Sequence, residues 1–446
     1  DRPCASEPYL MSRGNPYGTD SFPMHERRTR CLLALTNGNV LAESFGWAGH
    51  DVAADFLEIA RLERYLTRTE TLPWAALLVS EQTRQFYAYK DIANRFLPHV
   101  FGAFRAATEE HLPLTLINDW DVGPEQLARF AVVMLANAAA LSDSQSAALR
   151  AYVHGGGGLI ATGESSLCDE LGQPRRDFAL AELFGVSYQG QPRAPRKRPQ
   201  QRRSQTEFGN EGTITLDETY WQQRSGVATL SWTDHPLVRD ARLGHLVPSK
   251  SVTFRGPQVL VSEPRQASEV ALRMNPEGWK KPPIPAAILR SFGAGRVAYF
   301  PAALDAALWS YAYPYQRRLL ARALEWAARV PAPITVRAPL CVQTTFFTQT
   351  EDGPKQSLGT RKKRIVLHFF NGVNTMSNHG LPAMDVPLRE EVIPIHGIEV
   401  RFAKDAPKRF HCEPGGREVQ VRLEGETAIV QLPPLEIHTI LVGDYD

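Results

Sequence analysis

The spacing of apolar residues changes along this chain, and the predicted element changes with it. In DVAADFLEIARLERYL, residues 51–66, Val52, Phe56, Ile59, Leu62 and Leu66 recur at helical spacing with charges between them, which predicts an amphipathic helix. From Trp74 onward the pattern becomes short, wholly apolar runs: AALLVS (75–80), LTLIND (114–119), AVVMLA (131–136) and GLIATG (158–163). Helical stretches separate them, one over 92–111 that is expected to break near Pro98. GRVAYFP (295–301) reads as a last buried strand before the helix YQRRLLARALEWAARV. Such alternation predicts an α/β fold, a doubly wound parallel sheet covered on both faces. Ligand sites then belong beyond the carboxyl ends of its strands.

After Val330 the Pro-Ala-Pro punctuation marks a linker, and the pattern changes again. Residues 334–446 hold short alternating segments such as RIVLHFFNG and TAIVQLPP between Gly, Pro and Asn turns, the signature of a small all-β sandwich. Three regions are therefore expected: an irregular segment and amphipathic helix over 1–70, the α/β domain over 71–330, and the sandwich over 334–446. Within the second, 187–212 loses its apolar residues and gathers arginine and proline. That stretch reads as a solvated loop rather than a nucleic-acid site, because no aromatic platform accompanies its charge.

Composition narrows the function classes. The 446 residues are 43% hydrophobic and 22% charged, with a formal net charge of +2. No field of one sign argues for nucleic acid or an anionic membrane, and no apolar run approaches the ~20 residues of a membrane helix. The five cysteines are scattered without ligand spacing, so free thiols in a reduced, cytoplasmic compartment are expected, with no disulfide framework and no metal. The chain begins at Asp1 without a basic and apolar leader, so its start has been removed or it is part of something longer.

The stretch HGGGGLIATGESS, residues 154–166, poses the question of a phosphate cradle. Ser142, followed three residues later by Gln145, forms a capping box, so a helix runs from there to the glycines and a strand follows them. A phosphate cradle needs the reverse order, strand then glycines then helix. Gly155 to Gly158 are therefore expected to supply a left-handed cap and a tight lead into the strand. The turn after the strand, Gly163-Glu164-Ser165-Ser166, falls where a hydrolase or amidotransferase displays its nucleophile.

The segment from Phe130 to Val186, with its apolar strand running into Asn or Ala, Ser-Asp helix cap, glycine turn, strand and "LFGV", resembles the trimerisation domain of family 42-type β-galactosidases. That domain has a class I glutamine amidotransferase-like, flavodoxin-like fold. Asp234-His235-Pro236-Leu237 followed by GRVAYFPAALDAALW resembles the closing part of that fold, and the β tail resembles the C-terminal domain of the same enzymes. The resemblance implies a homo-oligomer, a trimer, or a partnership with a separate catalytic barrel. It also implies that both catalytic carboxylates would lie on a barrel of ~250 residues, for which too few residues precede Trp74. Active amidotransferases carry cysteine at the elbow; here Glu164 occupies that turn, and the nearest thiol is Cys168.

Candidate chemistry within the chain is sparse. Glu390 and Glu391 are adjacent and would face apart on an extended segment. Asp119 and Asp121 sit at a strand's carboxyl end, where capping the following turn competes with a ligand role. Glu164 and Ser165 are the elbow candidates, with backbone hydrogen bonding as the competing role. Trp309, Tyr311, Tyr313 and Tyr315 occupy every second position, so an extended WSYAYPY would align four rings for a carbohydrate or a partner chain. Histidines 368, 379, 396, 411 and 438 lack ligand spacing and are expected to be structural. No cofactor is expected. The leading expectation is a non-catalytic scaffold of a β-galactosidase-like glycoside hydrolase in carbohydrate metabolism. The alternatives are a stand-alone hydrolase using Glu164 or Ser165, and a carbohydrate-binding or regulatory module.

Overall fold

Ala75–Leu78 is apolar and buried at every position, a condition that a strand covered on both faces satisfies. Val132–Leu135 and Gly158–Thr162 meet the same condition. The computed structural model that shows this describes residues 5–6, 23–41, 50–192, 227–239, 249–351, 362–373, 375 and 389–445. Residues 193–212 of the basic segment, His379, and all but two of the first 22 residues lie outside the described ones.

The three strands pair in parallel, 75–78 with 132–135 and 132–135 with 158–162, and Gly295–Phe300 joins in parallel beside Gly158–Thr162. Leu114–Ile117 lies beyond Ala75–Leu78 at the sheet's edge. The other half of the sheet departs from the wholly parallel arrangement expected. Ile284–Phe292, Ser268–Pro276, Val227–Trp232 and Ser251–Arg255 continue it with antiparallel pairing, making a mixed nine-stranded sheet. The reversal begins at Gly293, with φ +57°, and Ala294. A two-residue connection can only return a strand antiparallel to its predecessor, since a parallel return needs a crossover.

Local signals in this half are met with small shifts. Ser142 caps Asp143–His154 and forms the capping box with Gln145. The positive φ falls at Gly156 (+119°), whereas Gly155 is right-handed. Gly158 is required for packing, because a Cβ there would stand 2.4 Å from the carbonyl oxygen of Ala327. The expected break near Pro98 falls at Phe96, between the short helix Ile92–Arg95 and Leu97–Glu109, and Pro98 lies in the first turn of the second helix. The first-turn amide has no intrahelical partner to lose. The aromatic row is not extended. Leu304–Tyr311 is a helix, Ala312 is left-handed with φ 33°, and Pro314 opens the next helix, Pro314–Ala328. At that junction the Tyr313 amide donates to Gln316 Oε1 at 3.2 Å, and the Gln316 amide donates to the Tyr313 carbonyl at 3.0 Å. Local helix signals thus override the period-two pattern, leaving Trp309 and Tyr313 exposed, Tyr311 half-buried and Tyr315 buried.

The second compact unit combines the described residues up to Leu72 and residues 111–114 with those from Ala332 onward. Its core is a sandwich. One sheet holds Ile334–Arg337, Glu399–Phe402, Thr427–Gln431 and Val421–Glu424, and the other runs from Arg417–Glu418 through Arg409–Glu413, His438–Asp444, Lys362–Asn371 and Val342–Glu351 to Thr69–Thr71. Ile365, Leu367 and Phe369 point inward to Val400, Phe402 and Val430. On the opposite face Val366, Ile440 and Val442 pack under Leu62 and Tyr65 of the helix His50–Leu66. Alternation thus gives this sheet two buried faces, one closed by its partner sheet and one by a helix. Among the described residues no helix is long and apolar enough to cross a membrane.

Candidate functional site

The carboxyl ends of Val132–Leu135 and Gly158–Thr162 bring Asn137 and Glu164 together. Asn137 carries a left-handed backbone, φ 49°, which asparagine tolerates better than most residues. Its Oδ1 accepts the Glu164 amide at 2.7 Å, its Nδ2 donates to the Arg95 carbonyl at 3.0 Å, and its own amide donates to Thr162 Oγ1 at 2.9 Å. Gly163, φ +57°, forms the elbow; a Cβ there would stand 2.5 Å from Asn137 Oδ1. Gly163 therefore has no side chain to present, and the second left-handed residue of the turn, Ser166 with φ 65°, is fully buried with its Oγ accepting the Leu180 amide at 3.2 Å.

Glu164 is buried, and its described partners are all donors. Tyr87 OH and the Arg95 guanidinium meet Oε2, the latter at 4.0 Å, and Gln191 Nε2 donates to Oε1 at 2.8 Å. The Arg95 guanidinium also lies over the Tyr87 ring, 3.8 Å from its centre, a cation–π contact that fixes both. Both carboxylate oxygens are therefore engaged by the chain itself. Ser165 is fully buried, and its hydroxyl donates to the carbonyls of Thr162 (2.8 Å) and Leu135 (3.1 Å). Nucleophilic activation needs a base at that hydroxyl, and carbonyl oxygens are not bases of that kind.

Deeper in the same unit, His99 Nδ1 lies 3.2 Å from Asp305 Oδ1, and Thr162 Oγ1 donates to Asp305 Oδ2 at 2.6 Å. His99, Asp305 and Thr162 are all buried, so this chain of polar contacts links the helices Leu97–Glu109 and Leu304–Tyr311 to the sheet. Asp119 lies one strand away, at the end of Leu114–Ile117. It accepts the Gln82 amide at 3.0 Å, and burial raises its carboxyl above the ordinary range. Asp121 instead accepts the Asn118 amide at 2.8 Å, the capping role. Asp119 and Asp305 are thus engaged by Gln82, His99 and Thr162, and the Glu164 carboxylate by Tyr87 and Gln191. A glycosidase needs two carboxyls about 5 to 10 Å apart across an opening.

Cys168 is buried, and burial together with the Glu164 charge pushes its thiol up to about 11. That is the reverse of the lowered thiol a nucleophilic cysteine requires. Burial likewise pushes Cys412 to about 12. A disulfide-exchange reagent at neutral pH is expected to leave Cys168 and Cys412 unmodified in the native protein and to modify them in denaturant, read by peptide mass. Glu390 and Glu391 are exposed, and His396 is exposed as well. His368 and His438 meet in the sandwich, and His411 Nε2 lies 2.9 Å from Tyr65 OH. No three His, Cys, Asp or Glu among the described residues come together as a metal site. Trp309 stacks obliquely on Phe101, ring centres 5.0 Å apart, with both rings partly open to solvent. Asn137, Tyr87, Arg95 and Gln191 are not singled out by sequence alone. The one signal was an asparagine two residues beyond an apolar strand, at the end where α/β sheets place function.

The chain thus holds two compact units, one α/β and one built on a β sandwich. No protein-family model matches the chain, and no curated protein matches it. Among solved structures it is similar to alpha-L-fucosidase isoenzyme 2 from Paenibacillus thiaminolyticus, with 15% identity, TM-score 0.66, and coverage of 95% of this chain and 58% of that one. It is similar to a beta-galactosidase from Bacillus circulans sp. alkalophilus at 14% identity and TM-score 0.62, covering 98% of this chain and 55% of that one. A GH42 beta-galactosidase from G. stearothermophilus follows at 13% identity and TM-score 0.55, covering 94% and 51%. These likenesses show a shared fold. The chain spans 51–58% of the length of these three proteins.

Proposed function

We propose that this chain is the supporting, non-catalytic portion of a β-galactosidase-like glycoside hydrolase, acting in carbohydrate metabolism through assembly rather than bond cleavage. The carrying observation is that 94–98% of the chain corresponds to only 51–58% of glycoside hydrolases. The strand order 114–117, 75–78, 132–135, 158–162, 295–300 supports the amidotransferase-like, trimerisation-type reading of the α/β unit, since it matches the flavodoxin-like order. The Glu164 carboxylate, satisfied by Tyr87 and Gln191, supports an elbow kept for its shape. The proposed partners are further copies of the chain, a trimer, or a separate catalytic barrel. A cytoplasmic location belongs to the same proposal, supported by free thiols at Cys31, Cys168, Cys341 and Cys412.

Purified protein is expected to release no chromophore from aryl β-galactosides or aryl α-fucosides, and to show a trimer by light scattering. Turnover at an enzyme's ordinary rate would overturn the proposal.

A second reading, a stand-alone hydrolase, is favoured by one feature: a buried carboxylate, a tyrosine and an arginine meet at the carboxyl end of a parallel sheet. Glu164→Gln separates the two readings. If Glu164 is structural, the variant loses about 1–3 kcal/mol of stability, because Arg95 and Tyr87 lose a charged acceptor. If a measurable hydrolytic activity falls while the unfolding midpoint stays put, the second reading replaces the first.

A further inference from the structure

The stretch VRLEGETAIVQ, residues 421–431, alternates apolar and polar side chains on either side of a two-residue Gly425-Glu426 connection. Gly425 has φ +61°, the left-handed value that glycine supplies at the first position of such a turn. The strands Val421–Glu424 and Thr427–Gln431 pair antiparallel, with Val421 opposite Val430 and Leu423 opposite Ala428. Val430 and Ala428 in turn oppose Val400 and Phe402, and those four side chains belong to the sandwich core. Directly opposed residues share a face, so Val421 and Leu423 stand on the core side of the sheet. They are not covered there: every residue of Val421–Glu424 is exposed, Leu423 to 71%. The core face of this sheet runs one strand beyond the residues that cover it.

The same strand is the edge of its sheet and is paired on one side only. Glu424 and Thr427 flank the turn, the place of a hydrogen-bonded pair, and such pairs alternate with non-bonded ones along an antiparallel ladder. Arg422 and Ile429 therefore form the next bonded pair, and the N–H and C=O of Val421 and Leu423 point away from the sheet. Edge strands are commonly guarded by a bulge, a proline or an excess of one charge. This one pairs in regular register, and its two charges cancel, Arg422 Nη1 lying 2.9 Å from Glu424 Oε1.

We propose that Val421–Glu424 pairs antiparallel with the same strand of a second copy of this chain, about a two-fold axis at Leu423. Outward-facing groups must meet outward-facing groups, which confines the axis to Val421 or Leu423. An axis at Val421 needs the amide of Val419, and that amide already donates to the Phe410 carbonyl at 3.2 Å. An axis at Leu423 sets Leu423 against its own copy on the core side. On the outer side it sets Arg422 against Glu424 of the second copy, twice over. The Arg422 side chain is 63% exposed and that of Glu424 45%, so each keeps hydrogen-bonding capacity beyond the contact within its own strand. These cross-pairs fix the register, since exposed ion pairs add little affinity. The apolar pair and the new ladder bonds hold the copies together. The contact is isologous and joins two four-stranded sheets into one. It goes beyond the scaffold reading, and its two-fold operator is separate from any three-fold one.

The test is sedimentation velocity of the full chain from about 1 µM to about 1 mM, with hydrogen exchange followed over residues 421–424. The mass present at low concentration is expected to double at high concentration, and exchange at 421–424 to slow with it. Leu423→Lys, at an exposed position, opposes two ammonium groups at the axis and is expected to raise the dissociation constant about 10-fold or more. Arg422→Glu opposes carboxylates and is expected to act likewise. Combining Arg422→Glu with Glu424→Arg exchanges the signs and is expected to restore doubling, with unfolding midpoints confirming an intact fold in each variant. Doubling is read against whatever assembly exists when dilute, so absence of a trimer and absence of edge pairing are told apart. The proposal is overturned if the mass does not double, or if it doubles without protection at 421–424, because the copies then meet elsewhere. Protection without doubling also overturns it, since another part of the chain then covers the strand. So does doubling that Leu423→Lys and Arg422→Glu both leave unchanged, or a folded exchanged pair that doubles no better than Arg422→Glu alone.

Discussion

Gly102→Ala is expected to destabilise the α/β unit by about 3 kcal/mol, the upper end for forced overpacking. Helix propensity alone predicts the opposite sign, a gain of about 1 kcal/mol for replacing a glycine inside a helix. Geometry decides between them. A Cβ on Gly102 would stand 1.8 Å from the carbonyl oxygen of Asp305 and 2.6 Å from its carbonyl carbon. Those are backbone atoms of the helix Leu304–Tyr311, so no rotamer change relieves the overlap. The two helices would have to separate, and Asp305 would be drawn from His99 and Thr162, leaving buried polar groups short of partners. Gly123→Ala is the matched control, because nothing lies within 4 Å of a Cβ built there. Urea midpoints for the two variants should differ widely; equal midpoints would show that the helix contact is looser than described.

Acidification is expected to loosen the sandwich before the ordinary carboxylate range is reached. His368 Nδ1 lies 3.1 Å from His438 Nε2, both rings are buried, and the edge of one aromatic ring, Phe347, meets His368. Burial drives His368 well below its ordinary value, with the neighbouring His438 adding to the effect. Burial, and then the Arg28 charge, lower His438 to about 4. An unfolded imidazole takes up its proton near pH ~6.5. Between there and about 4 the unfolded chain binds more protons than the folded one, so stability falls as pH falls through that window. The contribution of His438 is fully present above about 6.5. By pH ~4 it has lost about 3 kcal/mol, at 1.36 kcal/mol per pH unit. His438→Gln retains a hydrogen-bonding group and removes one titration, so its denaturation midpoints should decline less steeply between neutral and mildly acidic pH. Parallel declines in the two proteins would place the acid sensitivity elsewhere.

Legibility followed the range of the interactions. The Ser142–Gln145 box, the buried strands at 75, 132 and 158, and the alternation of 365, 367 and 369 against 366 and 368 depend on neighbours a few residues away. A local pattern carries such information. The aromatic row shows the limit of that approach, since period two in four residues fits both a strand and a helix–turn–helix. The antiparallel half of the large sheet hinged on the two residues at 293–294, a signal too small to outweigh the α/β rhythm before it.

By itself, then, the sequence determined that an α/β region precedes an all-β one, where the main helices start, and that the elbow at 163–166 lacks a cysteine. Only the tertiary structure decided what surrounds that elbow. Tyr87 and Glu164 are 77 positions apart, and Asn137 and Glu164 are 27 apart. In the sandwich unit Tyr65 likewise meets Glu413 across 348 positions. The physical reason is that secondary structure is set by dihedral preference and burial period, which are properties of short stretches. A site is set by which strand ends lie side by side, and that is fixed by the packing of the whole sheet.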